Sequence, residues 1–288
     1  MGIEERYEEA KKYYDGDQYD KAVPLLQALA AEGHAKAQSN LGWCYDTGNG
    51  VAQDVAKAFE WYRKAADQGV AASQNNLGLC YDEGKGVAKD AAKAIEWYRK
   101  AAEQEYASAQ YNLGYAYDNG EGVAKDFTKA VEWYRKAAEQ GHAGAQNALG
   151  YSYDEGEGVS QDKKKAVEWY RKAAEQGHPQ AQNNLGRAYK NGEGIAQDKK
   201  KAFEWFSKSA EQGYATAQFY LGHAYDEGEG VAKDLAKAKE WYEKAAAQGD
   251  EAAKKNLAII MKGSGGLFGG GLLGGLGGLK KLVSDFTN

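Results

Sequence analysis

The sequence predicts an all-α solenoid of helix–turn–helix repeats, and three observations carry that prediction. Six of the seven tryptophans, Trp61, Trp97, Trp133, Trp169, Trp205 and Trp241, fall 36 residues apart. Residues 35–250 divide into six copies of a unit reading roughly A-x-A-Q-x-N-L-G-x-x-Y-D-x-G-x-G-V-A-x-D-x-x-K-A-x-E-W-Y-R-K-A-A-E-Q-G-x. A fixed period of this length marks units that bury their apolar faces only by stacking on their neighbours. The pairing of 37 glycines with 2 prolines in 288 residues fits helices punctuated by glycine turns, with few strands.

The elements follow in order. Residues 1–34 carry Tyr13-Tyr14-Asp15-Gly16-Asp17-Gln18-Tyr19-Asp20-Lys21-Ala22, a shorter helix–turn–helix without the double-glycine loop. Each later copy opens with a first helix, from about Ala35 to Asp46 in the first copy, followed by a Gly48-x-Gly50 loop. Asp54 then stands as N-cap of the second helix, and Asp90, Asp126, Asp162, Asp198 and Asp234 recur there. In that helix Ala58, Trp61, Tyr62, Ala65 and Ala66 form one apolar stripe, so the tryptophan is expected in the core. Glu60 and Lys64 are spaced as an i,i+4 ion pair on the solvated face. Gly69 ends the helix with a positive φ; the second copy has Glu105 there, which predicts a strained or frayed end. Residues 251–262 supply only a first helix, a solubilising cap, which brings the count to fifteen helices. Residues 263–288 are a Gly/Leu-rich tail that begins with a flexible hinge at Gly263-Ser264-Gly265-Gly266.

Composition narrows the function classes. A net charge of −5 spread along the chain excludes the concentrated basic face that nucleic-acid binding needs. The start, Met1-Gly2-Ile3-Glu4-Glu5-Arg6, lacks the basic-then-apolar run of a signal peptide, so the cytoplasm is the expected location. Two cysteines, Cys44 and Cys80, make no disulfide framework; both occupy a position that is always small, and read as core fillers.

The unit A-x-A-Q-x-N-L-G-x-x-Y, with G-x-G-V and the later K-A-x-E-W-Y-x-K-A-A, resembles the Sel-one-like repeat (SLR) family, a relative of the tetratricopeptide repeat. Residues 3–36 resemble an ordinary tetratricopeptide unit, with Tyr13 and Ala22 at that family's spacing. The resemblance implies a right-handed superhelix of helix pairs and an adaptor that binds other proteins, not an enzyme. It also marks a departure, since some secreted members pair cysteines in every repeat and this chain does not.

Six copies allow the sequence to be compared with itself. With Ala35 as place 1 and 100° per residue, places 3, 4, 7, 8 and 11 (Ala37, Gln38, Leu41, Gly42, Tyr45) share one side and barely change, which makes them the packing face. Places 2, 5, 6, 9 and 13 lie opposite and vary. That side gathers Trp43, Asn75, Tyr111, Tyr115, Asn147, Tyr151, Asn183, Phe219 and Tyr220, with Arg187 and His223 among them. Given a superhelix, it lines the concave groove. Large aromatics and amides with little charge are what a protein- or peptide-binding surface needs; the alternative is an exposed face that has drifted. Place 12 is acidic at Asp46, Asp82, Asp118, Asp154 and Asp226 but Lys190 in the fifth copy, so the expected ligand is mostly basic, with an acidic group held by Arg187 and Lys190.

Motifs for chemistry are missing. Gly48-Asn49-Gly50 recurs as Gly-x-Gly in every copy without a following Lys-Ser/Thr, so it is turn geometry and not a phosphate loop. Asp82-Glu83-Gly84-Lys85-Gly86 fails as a calcium loop because glycine holds the third ligand position. The four histidines, His34, His142, His178 and His223, form no H-E-x-x-H, and no G-x-S-x-G appears. No cofactor, metal or catalytic residue is expected.

In the tail, Phe268, Leu272, Leu276, Leu279, Val283 and Phe286 follow the rhythm of one helical face, and its apolar run is too short for a stable membrane span. The expectation is that it docks on an apolar surface of its own or a neighbouring chain. Three readings of function stand: a scaffold binding a protein or peptide in its groove, an assembly protein acting through the tail or its end caps, and an engineered array without a natural partner.

Overall fold

The computed structural model describes residues 2–265. Among them are fifteen α-helices and no strand: α1 (Ile3–Asp15), α2 (Tyr19–Ala31), α3 (Ala35–Thr47), α4 (Val55–Asp67), α5 (Ala71–Glu83), α6 (Ala91–Glu103), α7 (Ala107–Asn119), α8 (Phe127–Glu139), α9 (Ala143–Glu155), α10 (Lys163–Glu175), α11 (Pro179–Asn191), α12 (Lys199–Glu211), α13 (Ala215–Glu227), α14 (Leu235–Ala247) and α15 (Glu251–Gly265). The chain divides after Asp198 into two compact units, one holding α1–α11 and the other α12–α15. Within each unit every helix packs on its neighbours in sequence, the arrangement of an all-α helix–turn–helix solenoid.

Local signals set the helix ends. Asp54, Asp90, Asp126 and Asp234 each accept a backbone N–H from the third residue of the helix they precede, at 3.0–3.1 Å. Where other repeats place glycine after the second helix, Glu105 adopts a φ of 61°, the left-handed conformation that disfavours a side chain. The sequence expectation of strain at this position is met. α15 continues to Gly265, so the helix runs into the stretch read above as a hinge.

Five of the six repeats are locked by a glycine–tyrosine contact, and Phe206 takes the tyrosine's place in the fifth. A Cβ placed on Gly114 would stand 2.7 Å from Cδ1 of Tyr134, and the same clash recurs at Gly42 with Tyr62, Gly78 with Tyr98 and Gly150 with Tyr170. The tyrosine ring therefore lies directly on the first helix's backbone, and Tyr134 is 2 % exposed. α15 carries Ala258, exposed, at the position where each of the six repeats has glycine.

Neighbouring repeats are joined by buried glutamine. Gln110 donates to the carbonyl of Ala102 in the preceding repeat at 3.3 Å and accepts from Gln140 of its own repeat at 2.7 Å. The pattern recurs at Gln74, with Ala66 and Gln104, and at Gln146, with Ala138 and Gln176. Each buried amide thereby adds a second hydrogen bond to a helix-end carbonyl that already accepts the backbone N–H of Gly69, Glu105 or Gly141.

Two expectations need correction. The tryptophans are only half-buried; the buried ring of each second helix is the residue that follows, a tyrosine in five repeats and Phe206 in the fifth. Lys64 does not pair with Glu60 but lies over the Trp61 ring at 4.2 Å, while Glu60 takes Arg63 at 2.7 Å. The same lysine-on-tryptophan contact covers Trp97, Trp133, Trp169, Trp205 and Trp241 at 3.8–4.1 Å.

Candidate functional site

The variable side of the first helices splits into two strips with opposite fates. Place 5 turns inward. Asn75, Asn147 and Asn183 are buried at 4 %, 7 % and 2 % exposure, which removes them from the surface a partner touches. Two of them tie neighbouring repeats together: Asn112 donates to Oδ1 of Asn75 at 3.0 Å, and Asn184 to Oδ1 of Asn147 at 3.1 Å, both from the next repeat. Tyr111, at the same place, is half-buried and stacked on His142 with ring centroids 4.8 Å apart.

Place 9 faces outward in the middle repeats. Tyr115 and Tyr151 are each 47 % exposed, and Arg187 follows them one repeat later, also exposed. Trp43 is half-buried, packed edge-on against Tyr14 at 5.4 Å and tilted against Tyr19 at 5.5 Å, so the N-terminal helix pair covers it. Phe219 and His223 belong to the second unit, where Phe219 packs 5.9 Å from the Tyr242 ring and His223 lies 3.8 Å from Glu229. Of the sequence-predicted groove, the first unit thus presents Tyr115, Tyr151 and Arg187, with Tyr111 behind and half-buried Lys190 on the flank. The tail positions Phe268, Leu272, Leu276, Leu279, Val283 and Phe286 lie outside the described residues.

Beside this strip, between repeats two and three, is a cleft of about 200 Å³. Its floor is apolar (Leu79, Ala91, Ile95, Tyr98, Ala116), Tyr111 and Tyr115 stand on one wall, and Asp82 and Glu121 also line it. The homologous cleft between repeats four and five, lined by Asp154, Tyr170, Arg187 and Glu193, has shrunk to about 10 Å³. Arg187 shares it with two carboxylates, so the acidic ligand group expected there meets an already acidic setting. Sequence reasoning missed both clefts, because each joins the start of one repeat's second helix to the loop of the next.

The titratable groups are those of a packed scaffold. Burial pushes the Cys44 thiol up to about 11 and Cys80 up to about 12, far from the range of a nucleophilic thiolate. His142 and His178 cap helices through Nδ1, accepting backbone N–H groups at 3.1 and 3.3 Å, and burial lowers both below the usual imidazole value. Burial, with Asp118 close by, raises the Tyr134 phenol. Among the described residues no three His, Cys, Asp or Glu side chains converge as metal ligands, and no helix is long and apolar enough to cross a membrane.

Comparison with known families gives six consecutive matches to the Sel1 repeat, at 35–70, 71–106, 107–142, 143–178, 179–214 and 215–250. The chain belongs to the Sel1 repeat family. A Sel1 repeat protein from Oxalobacter formigenes is 38 % identical, with a TM-score of 0.77 over 83 % of this chain and 96 % of that one. A protective antigen of uropathogenic Escherichia coli with the SLR fold is 40 % identical, with a TM-score of 0.77 over 90 % of this chain. The chain spans 56 % of that antigen's length. The Cut9–Hcn1 hetero-tetramer structure, 14 % identical with a TM-score of 0.60 over 88 % of this chain and 48 % of that one, shares the fold alone. Comparison with curated proteins gives no match.

Proposed function

We propose that this Sel1 repeat chain is a non-enzymatic adaptor that holds a protein or peptide along the outer strip of the first helices of repeats three to five. The observation that supports it is the pair Tyr115 and Tyr151, each 47 % exposed at the same place of successive repeats. Two large rings left half in water, with Tyr111 behind the first, offer contact area that loses little side-chain freedom on binding. The buried, unreactive thiols and the capping histidines give no support to a catalytic reading.

The test is capture of partners from source-cell lysate by the wild type and by the Tyr115→Ala, Tyr151→Ala double variant. Partners retained by the wild type should fall at least tenfold with the variant, while its circular dichroism and melting temperature stay close to wild type. Equal capture by both would count against this strip.

A second reading, self-association at the C-terminal end, draws on α15, where Ile259 and Met261 are 51 % and 57 % exposed. Sedimentation of the wild type and an Ile259→Lys, Met261→Lys variant over a range of concentrations separates it from the first.

A further inference from the structure

The two homologous clefts of the first unit, compared with each other, indicate what the open one takes. Each is framed by the place-12 aspartate of one repeat and the place-15 residue of the next repeat's loop. The pairs are Asp82 with Glu121, and Asp154 with Glu193. The framing is alike because the loop's second glycine rests on the start of the preceding second helix in both. A Cβ on Gly122 would meet the Ala91 carbonyl oxygen at 2.5 Å, and one on Gly194 the Lys163 carbonyl oxygen at 2.1 Å.

Two lining positions differ in charge: Arg187 stands at the place that Tyr115 holds in the open cleft, and the first residue of that second helix changes as well. In repeat four it is Lys163, whose ammonium lies 2.7 Å from Asp154 and 3.6 Å from Glu193, and the cleft is nearly closed. Lys199, at the equivalent position of repeat five, likewise reaches Glu229 at 3.0 Å. In repeat two the residue is Ala91, the one alanine among the six copies at this place. Neither Asp82 nor Glu121 has an ion-pair partner among the described residues, and the cleft keeps its volume of about 200 Å³. Like-charged carboxylates that share an apolar cleft favour a cation between them.

We propose that the cleft between repeats two and three binds a lysine side chain of a partner peptide, its ammonium between Asp82 and Glu121 as Lys163 sits between Asp154 and Glu193. The butyl stem lies along Leu79, Ile95 and Tyr115, which suits a chain that is apolar along its length and charged only at its tip. The assignment rests on the adaptor reading above and adds the chemistry of one residue of the bound segment.

The molecule supplies its own competitor for the test. Ala91→Lys installs the lysine that repeats four and five carry at the same helix position, so the fold accommodates it; Ala92→Lys, one residue on, is the exposed control. The probe is a blocked pentapeptide, Gly-Leu-Lys-Leu-Gly, titrated into isotopically labelled full-length protein and followed by amide shifts of residues 79–121.

The wild type and Ala92→Lys should bind it alike, more weakly as salt rises. Ala91→Lys, the Asp82→Asn, Glu121→Gln double variant, and norleucine in place of the peptide's lysine should each weaken binding at least tenfold. Unchanged affinity for Ala91→Lys or for the norleucine peptide would overturn the assignment, as would no binding at millimolar peptide. If the lysine peptide fails to bind while the Tyr115, Tyr151 variant still loses its partners, the cleft assignment falls and the adaptor reading stands. The variant Lys280→Ala with Lys281→Ala, in the full chain, should leave peptide affinity unchanged. A tenfold gain would show that the chain's own tail fills the cleft and would overturn the partner as occupant.

Discussion

Two aromatic strips run side by side along the second helices, and they do different work. The tyrosines lie on glycine backbone and are sealed, as Tyr134 is at 2 % exposure. The tryptophans, one residue earlier, are half-buried under their own repeat's lysine, as Trp133 is beneath Lys136 at 4.1 Å. A turn of 100° separates neighbouring residues, and here it separates the joint between two helices from the outer cover of one. The most recognisable residue of a repeat is thus a marker of its period without being its keystone.

The largest effect that tests this contrast comes from truncating one member of each strip. Tyr134→Ala, which empties a sealed site in mid-array, should cost about 3–5 kcal/mol, whereas Trp133→Ala should cost about half as much. Because repeats couple mainly to their neighbours, the Tyr134 variant should also melt more broadly. Calorimetry of the two variants decides it, and a larger loss for Trp133 would reverse the roles assigned to the strips.

Next in size is the partner of that ring. By helix propensity alone, Gly114→Ala stabilises by up to about 1 kcal/mol. The structure gives the opposite sign, since the added carbon would stand 2.7 Å from the Tyr134 ring and 3.2 Å from the backbone oxygen of Ala130. The expected net loss is about 1–3 kcal/mol. Denaturant unfolding that shows a gain would mean the ring can move aside and the joint is loose.

These cases show how far the sequence could be read. Helix count, caps and the packing face were legible because they recur from copy to copy and obey a single helical period. The split between places 5 and 9 was not, because it depends on how one repeat's first helix stands against the next. Asn75 is interior through Asn112, a residue 37 positions on, and no helical wheel contains that contact. The cleft was hidden for the same reason, since Lys163 meets Glu193 across 30 positions. A signal for it existed across copies: place 15 of the next repeat is glutamate after Ala91 as it is after Lys163 and Lys199, so the alanine of repeat two leaves a glutamate without the lysine its counterparts have.

A smaller effect tests whether the second helix ends alike in every copy. Glu105 holds a φ of 61° where its counterparts in the first unit are glycines at 89–92°. Glu105→Gly should therefore stabilise the protein by about 0.5–1 kcal/mol, the relief of a left-handed side chain less the extra freedom of an unfolded glycine. A lowered melting temperature would mean that the Glu105 side chain makes a compensating contact.

The smallest expected effect is one of pH, and it concerns repeats four and five, which share a histidine N-cap with repeat one, where Nδ1 of His34 accepts the Ala37 N–H at 3.1 Å. Their first helices start at His142 and His178, whose Nδ1 accepts a backbone N–H and which must therefore be neutral, with the proton on Nε2. Protonation removes the acceptor and sets a positive charge at the positive end of a helix. Burial lowers both histidines in the folded chain, and the charge of His142 lowers His178 further. The unfolded chain therefore takes up protons first as pH falls through about 6.5, so stability present above that value is lost between it and the lower folded values, then levels off. The variant His142→Tyr with His178→Tyr, which copies Tyr106 and Tyr214 at the same place, should lose less melting temperature between pH 7.5 and 5.5 than the wild type. An equal loss in both proteins would assign the acid sensitivity to other groups and leave the two histidine caps electrostatically silent.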